Sequence, residues 1–194
     1  LVSLKGLDKP YSVMAQSPMA IVADTDVIID SSYRFTASGC ADVISKLTAV
    51  RDWKIAHEVK GEYYGEYAAN LALMSARLMV RNASLLKAEK EEGLRVLLEA
   101  LISCGVAMSI AGSSRPCSGS EHLFGHALDQ IVPKPALHGE QCGVGAIMMA
   151  RLHNINWRQV RDTLKRVGAP TTAKELGVEP DHVVDALMRS AEIR

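Results

Sequence analysis

The sequence has few aromatic residues and no net charge, and both absences narrow its range of functions. Only 5% of its 194 residues are aromatic, although 48% are hydrophobic. Since sheets favour aromatic and β-branched side chains while Ala, Leu and Met favour helices, this composition predicts a mainly α-helical protein. The 22 basic and 22 acidic residues balance. No excess of one charge therefore indicates nucleic acid or an anionic membrane as a partner.

Cysteine is scarce, and its spacing excludes two common kinds of site. No two of the four cysteines stand in a C-x-x-C pattern, which argues against a zinc ribbon and against a dense disulfide framework. The four are Cys40, Cys104, Cys117 and Cys142. We interpret them as reduced, buried thiols of a cytoplasmic protein.

Long apolar runs and phosphate-binding loops are also missing. The longest uncharged stretch, 100–114, is too short to span a bilayer and indicates a buried helix. No signal peptide is recognisable, so we expect no membrane insertion. The segment 143–145, GVG, lacks the third glycine of a dinucleotide fingerprint and more simply permits close helix packing.

The pattern of the chain changes at about residue 30. Short apolar segments at 11–15, 20–24 and 27–30 predict two or three strands and no helix. So few strands do not form a stable sheet alone, so residues 1–30 should belong to a sheet completed elsewhere. Residues 31–194 follow a helical period and predict a helical bundle. Its helices are expected at about 39–57, 64–81, 89–111, from 118, at 140–153, up to Gly168 and after Pro180.

The fourth of these helices has a recognisable start. Ser118 and Glu121 form the S-x-x-E pattern of a capping box, in which the two side chains bind the first backbone N–H groups of the helix. Thr172 and Glu175 repeat the pattern further on. Glu121 is therefore assigned to the helix start rather than to a ligand role.

Half of the six histidines lie between residues 122 and 138. His122 and His126 share one helix face, and His138 follows a loop broken by two prolines. The first turn of a helix disfavours imidazolium and so favours the neutral, metal-binding ring. A catalytic zinc takes three protein ligands and leaves one position open. The cluster predicts such a metal, with one histidine left to contact substrate or relay a proton; the alternative is a set of structural histidines.

Asp42 is the best carboxylate partner for this cluster. It stands at a Gly-led helix start and precedes an apolar run that would bury it. The alternative is that Asp42 only interacts with the dipole of its own helix. Asp129 and Glu140 compete as ligands, although Glu140 could instead orient His138 from behind the metal.

Several motifs together resemble one enzyme family. They are 39–42 (GCAD), 61–64 (GEYY), 121–129 (EHLFGHALD), 137–145 (LHGEQCGVG) and 168–177 (GAPTTAKELG). In this order they resemble the sn-glycerol-1-phosphate dehydrogenases, of the superfamily of dehydroquinate synthases, glycerol dehydrogenases and iron-containing alcohol dehydrogenases. The resemblance covers essentially the whole chain.

The resemblance implies a role for each candidate residue. Asp42, His122 and His138 would bind zinc, while His126 would contact substrate and Asp42 would lie beside it. Dehydroquinate synthases have a glutamate in the place of Asp42, which argues against that branch. Glycerol dehydrogenases lack the EHLF sequence and are the weaker alternative.

The implied reaction is the reversible reduction of dihydroxyacetone phosphate to sn-glycerol 1-phosphate with NADH or NADPH. In archaea this reaction sets the glycerol stereochemistry of membrane lipids. Zinc would act as a Lewis acid on the C2 carbonyl, and His126 would supply or relay the proton. Arg115 and Lys134 are the nearest cations for the substrate phosphate, although solvated surface positions are the simpler interpretation of both.

The family also implies a nucleotide-binding domain of roughly 100–150 residues upstream. Residues 1–30 look like its last strands, and residues 31–194 like the helical metal- and substrate-binding domain. The cofactor-binding residues are therefore unknown, and we expect this chain to bind zinc without turning over alone. The alternative of another class is a non-catalytic helical module that binds no metal. The apolar helices would permit a homo-oligomer.

Overall fold

The computed structural model describes residues 2–4, 11–13, 16–88 and 90–193. Within these ranges the chain has two short strands and ten α-helices. The mainly α-helical fold class is therefore confirmed. The strands are β1 (Val2–Leu4) and β2 (Tyr11–Val13); the helices are α1 (Thr25–Ile29), α2 (Tyr33–Lys60), α3 (Glu66–Asn82), α4 (Leu85–Ala88), α5 (Lys90–Ala111), α6 (Ser120–Ile131), α7 (His138–Leu152), α8 (Trp157–Val167), α9 (Ala173–Leu176) and α10 (Pro180–Arg189).

The N-terminal region contains one of the three expected strands. β2 falls within the first predicted strand and pairs antiparallel with β1, Val2 opposite Val13. The strands expected at 20–24 and 27–30 were wrong. The first segment is exposed and irregular, and the second lies largely in α1. Asp24 explains the difference, because its carboxylate accepts hydrogen bonds from the N–H groups of Asp26 and Val27 and so begins a helix.

Helix α2 is the central element of the fold. It has 28 residues, begins earlier and ends later than the sequence indicated, and packs against α3, α5, α6, α7 and α8. Gly61, with φ 66°, ends it in the left-handed conformation that glycine adopts without strain. The later helices lie within a few residues of their predicted bounds, and Gly168 ends α8 as expected.

Helix α7 approaches α2 so closely that glycine is required at the contact. A Cβ atom on Gly139 would lie 2.0 Å from the carbonyl oxygen of Ser38, and one on Gly143 would lie 3.0 Å from the Cβ of Ala41. The expectation that glycines here permit close helix packing is confirmed. As a result, the first turn of α7 is held directly against the first half of α2.

Helix α5 is buried on one side only. Leu97, Cys104 and Ala107 are buried, whereas Ile102 and Val106 are exposed. The expectation of a buried helix in this region therefore holds for one face. By length and composition alone α5 is able to cross a membrane, but the core helices of soluble proteins meet the same two criteria.

Candidate metal centre

Four potential metal ligands meet where α2, α6 and α7 come together. They are Asp42 from α2, His122 from α6, and His138 and Cys142 from α7. One ligand atom from each lies within 4.8 Å of the others. His122 and Cys142 are buried, Asp42 is partly exposed, and His138 is exposed. The structure thus brings together the three residues that the sequence analysis selected, with one side open to solvent, and adds a cysteine.

The first turns of two helices position the two histidines. His122 lies in the first turn of α6, and His138 is the first residue of α7. The Nε2 atom of His122 faces the Oδ1 atom of Asp42 at 3.5 Å. The rings of His122 and His138 meet edge to face, with their centroids 4.9 Å apart. Both rings therefore border the space next to the Asp42 carboxylate.

The start of α6 is held differently from the predicted capping box. Gly119 is the N-cap residue, and its neighbour Ser120 donates both its N–H and its hydroxyl to Asp52 Oδ2, at 2.7 and 2.5 Å. The prediction that Ser118 caps this helix was therefore wrong, because Asp52, distant in sequence, accepts the hydrogen bonds at the helix start instead. Glu121 does bind the N-cap residue, as predicted, since its carboxylate accepts the Gly119 N–H. Burial alone would raise the pKa of Asp52, but the His153 ring, whose Nε2 lies 2.9 Å from Asp52 Oδ1, and the hydrogen bonds from Ser120 hold it below its ordinary value.

Glu121 orients His122. Its carboxylate is fully buried and accepts hydrogen bonds from the Gly119 N–H at 2.8 Å and from the Thr48 hydroxyl at 2.9 Å. The same carboxylate lies 2.8 Å from Nδ1 of His122. A carboxylate in this position accepts the Nδ1–H, which leaves Nε2 free as a ligand atom on the side of Asp42. This role was not predicted, although a glutamate directly before a candidate ligand is a usable signal.

Lys46 also contacts the candidate site, which was not predicted. Its Nζ lies 3.0 Å from Asp42 Oδ1, and its side chain is only 2% exposed. Burial would raise the pKa of Asp42, but the charges of Lys46 and then His122 outweigh it and hold that pKa below its ordinary value. Asp42 is therefore a carboxylate, ready to bind a cation. The signal in the sequence was a lysine one helical turn after Asp42 within an apolar run.

His126 lies beside the cluster and is not part of it. Its ring stacks on that of His138, with centroids 5.8 Å apart and an angle of 26° between the planes. Partial burial, and then the charge of His122, lowers the pKa of both His126 and His138. The structure therefore places His126 one turn further along α6, as a neutral ring that borders the site.

The competing carboxylates have other partners. Asp129 accepts a hydrogen bond from Gln141 Nε2 at 2.8 Å. Glu140 binds Arg34 through both carboxylate oxygens, at 2.7 Å each, and accepts the Leu137 N–H at 3.0 Å. The expectation that Glu140 orients His138 was wrong, because its oxygens hold the start of α7 and Arg34 instead.

The two cations considered for phosphate binding lie away from the cluster or at the surface. Arg115 forms a bidentate ion pair with Glu62, which follows the C-terminal end of α2. The stretch of α2 between Asp42 and Lys60 spans about 27 Å at 1.5 Å per residue. Lys134 is exposed in the loop before α7. Among the described residues, Lys46 is thus the buried cation next to the candidate ligands.

The donor atoms fit zinc better than a hard cation. Two imidazoles, a carboxylate and a sulfur are the ligands that zinc takes in proteins, whereas magnesium and calcium prefer oxygen alone. The candidate site has three such groups without counting the sulfur. It therefore satisfies the ligand number of a catalytic zinc site.

Curated proteins of one name match nearly the whole chain. It is 57% identical to glycerol-1-phosphate dehydrogenase [NAD(P)+] of Pyrococcus horikoshii, over 99% of this chain and 56% of that protein. It is 57% identical to the enzyme of the same name from Thermococcus kodakarensis, over 99% of this chain and 55% of that protein. With the one from Methanosarcina acetivorans it shares 57% identity over 96% of its length and 52% of that protein. The chain thus spans about half the length of these relatives.

Comparison of structures agrees at the level of the fold. The chain superposes on the crystal structure of sulfoacetaldehyde reductase from Bifidobacterium kashiwanohense in complex with NAD+, with a TM-score of 0.64. The two are 21% identical, and the match covers 86% of this chain and 46% of that one, so it shows a shared fold alone. No family model matches the sequence. Since more than half of its residues are identical along almost its whole length, the chain is closely similar to one part, about half, of these glycerol-1-phosphate dehydrogenases.

Proposed function

We propose that this chain is the metal- and substrate-binding part of an NAD(P)-dependent sn-glycerol-1-phosphate dehydrogenase. The reaction would interconvert dihydroxyacetone phosphate and sn-glycerol 1-phosphate. The observation that carries the proposal is the meeting of Asp42, His122 and His138 from three helices, in a chain so similar to enzymes of that name. Residues 31–194 would form this domain, and residues 1–30 would be the last part of a nucleotide-binding domain.

Asp42, His122 and His138 would hold a zinc ion. Such an ion, when bound, acts as a Lewis acid that polarises the substrate carbonyl and stabilises negative charge on its oxygen. Glu121 keeps His122 in the required tautomer, and Lys46 keeps Asp42 charged. These residues therefore prepare the ligand atoms before metal or substrate arrives.

His126 would transfer the proton between solvent and the substrate oxygen. Its ring is neutral and borders the ligand cluster beside His138. In the direction of reduction a neutral imidazole would relay the proton, releasing one from the nitrogen that faces the substrate oxygen while its other nitrogen takes one up from solvent. In the direction of oxidation it would accept the proton of the substrate hydroxyl, directly or through a water molecule. The nicotinamide cofactor supplies the hydride, and its binding residues are not assigned to this chain. The product would provide the backbone of archaeal-type membrane lipids, made in the cytoplasm.

The first test is metal content and turnover of the protein at its full natural length. We expect about one zinc per chain, and activity with dihydroxyacetone phosphate in the presence of NADH or NADPH. His122→Ala should lose metal and activity while its circular dichroism stays helical. His57→Ala is the matched control, because His57 lies exposed near the far end of the same helix as Asp42.

The outcomes separate the proposal from its alternatives. Normal turnover in His122→Ala would contradict the metal assignment. Equal turnover of dihydroxyacetone, which lacks the phosphate, would favour a glycerol dehydrogenase instead. Absence of both metal and activity in the full-length protein would favour a non-catalytic helical module.

A further inference from the structure

The thiol of Cys142 lies inside the candidate metal centre. Cys142 is fully buried on α7, one helical turn after His138, and its Sγ atom is 3.4 Å from Nε2 of His138. The sulfur belongs to the group of four ligand atoms that lie within 4.8 Å of one another. Among the described cysteines, it is the one in that group.

Two distances in the group already match those between ligands of one zinc ion. With Zn–S of about 2.3 Å and Zn–N or Zn–O of about 2.0–2.1 Å, the edges of a tetrahedron are roughly 3.3–3.4 Å long between nitrogen and oxygen and roughly 3.5–3.6 Å long where one atom is sulfur. The structure has 3.4 Å between Cys142 Sγ and His138 Nε2, and 3.5 Å between His122 Nε2 and Asp42 Oδ1. These pairs share no atom, so they correspond to opposite edges of one tetrahedron. Closing the remaining distances from at most 4.8 Å would require small side-chain movements.

We propose that Cys142 is a fourth protein ligand of the metal in the substrate-free protein. This inference rests on the three-ligand site of the proposed function and extends it. As the metal–sulfur bond forms, the S–H bond breaks and its proton leaves to solvent, so uptake of metal releases a proton. The thiolate completes a coordination shell that is otherwise open, and zinc accepts a fifth ligand when a substrate needs one.

A sulfur ligand has a consequence for the choice of metal. Thiolates favour zinc and other soft or borderline ions, whereas magnesium and manganese favour oxygen. The three-ligand site without sulfur would discriminate less between these ions. Cys142 therefore gives the centre its preference for zinc.

Cys40 provides the matched control. It is also fully buried, on α2, but it belongs to the apolar core with residues such as Ala146 and is not among the four potential ligands. Substitution of either cysteine by Ala removes one buried sulfur and leaves a similar small cavity. A difference between the two variants in metal binding then reports the position of the sulfur rather than the loss of packing.

The test is the absorption spectrum of the full-length protein loaded with Co²⁺. We expect a near-ultraviolet sulfur-to-cobalt charge-transfer band in the wild type and in Cys40→Ala, and its loss in Cys142→Ala and Cys142→Ser. Zinc affinity, measured by competition with a chromophoric chelator, should fall more than about tenfold in the Cys142 variants, since the loss of even a group that orients a ligand costs that much.

The spectrum of the wild-type protein tests the role of Cys142 even if a variant does not fold. Binding of Co²⁺ without the band would overturn the role of Cys142 and leave the three-ligand site of the proposed function standing. A band that persists in a folded Cys142 variant would do the same. Absence of any bound metal in the wild type would overturn both proposals.

Discussion

Replacing Glu121 tests whether the orientation of His122 contributes to metal binding. Glu121→Ala would leave two buried groups without their partner, the Gly119 N–H and Nδ1–H of His122, while the Thr48 hydroxyl would keep the Ser45 carbonyl as an acceptor. An unsatisfied buried group costs about 1–3 kcal/mol, so the two sum to about 2–6 kcal/mol. Since a whole domain is stable by about 5–15 kcal/mol, the alanine variant is too disruptive to be informative.

Glu121→Gln is the informative change. Its amide oxygen still accepts from Gly119 and His122, and its NH₂ group faces Thr48, whose hydroxyl lies 2.8 Å from the Ser45 carbonyl and is free to donate there instead. The expected loss of stability is then only about 1 kcal/mol. The negative charge behind His122 is nevertheless gone, so zinc affinity should fall by about 10- to 100-fold, which is about 1.4–2.7 kcal/mol.

The assay combines chelator competition for zinc with urea unfolding of the metal-free protein. Glu62→Gln is the control, because it breaks the ion pair with Arg115 far from the cluster and should leave zinc affinity unchanged. Refutation would be a Glu121→Gln protein that unfolds like the wild type and binds zinc as tightly. His122 would then hold its orientation through packing alone.

Three further predictions concern the surroundings of the site. Asp42→Asn should lower the free energy of unfolding by up to about 3 kcal/mol, because it leaves the buried ammonium of Lys46 without a counter-charge. Adding Lys46→Met should restore most of the lost stability, and urea unfolding of both variants measures the difference. Gly139→Ala should destabilise by at least about 1–3 kcal/mol, since its Cβ would lie 2.0 Å from a carbonyl oxygen of α2. Gly105→Ala, in helix α5 with nothing within 4 Å, should instead stabilise slightly, and equal thermal melting of the two would contradict this reasoning. Asp52→Asn should destabilise by about 1 kcal/mol at neutral pH, because an uncharged amide oxygen replaces the carboxylate that accepts from Ser120 at the start of α6. Since the folded pKa of Asp52 is depressed, its contribution is full above about pH 4 and is lost as the pH falls through the folded value, so unfolding curves of wild type and variant should converge in acid.

The helices were the part of the fold that the sequence predicted well. A repeat of apolar residues every three or four positions identifies a helix whatever it packs against, so α3 lay within two residues of its expected bounds, 64–81. Short apolar segments carry no such period. At 20–30 the local cap formed by the Asp24 side chain favoured a helix instead.

The site residues that could be predicted are those that cluster in the sequence. His122, His126 and His138 stood out because histidines cluster there, and the structure does bring two of them to Asp42. Cys142 did not stand out, because a cysteine in an apolar helix has the same pattern whether it faces the core or a metal. Asp52 was missed for another reason: a cap that comes from 68 residues away leaves no local signal.

The separation of the ligands along the chain determines when metal is able to bind. Asp42 lies 80 positions before His122 and on a different helix, so the complete set of ligands forms only when α2 has packed against α6 and α7. Metal would therefore act as a ligand of the finished protein, adding about 4 kcal/mol of stability at a free concentration 1,000 times Kd. Chelation should yield a folded, metal-free protein, in contrast to a zinc finger, whose fold disappears with its ion. In the cell, the supply of zinc would then set how many molecules are active and not how many are folded.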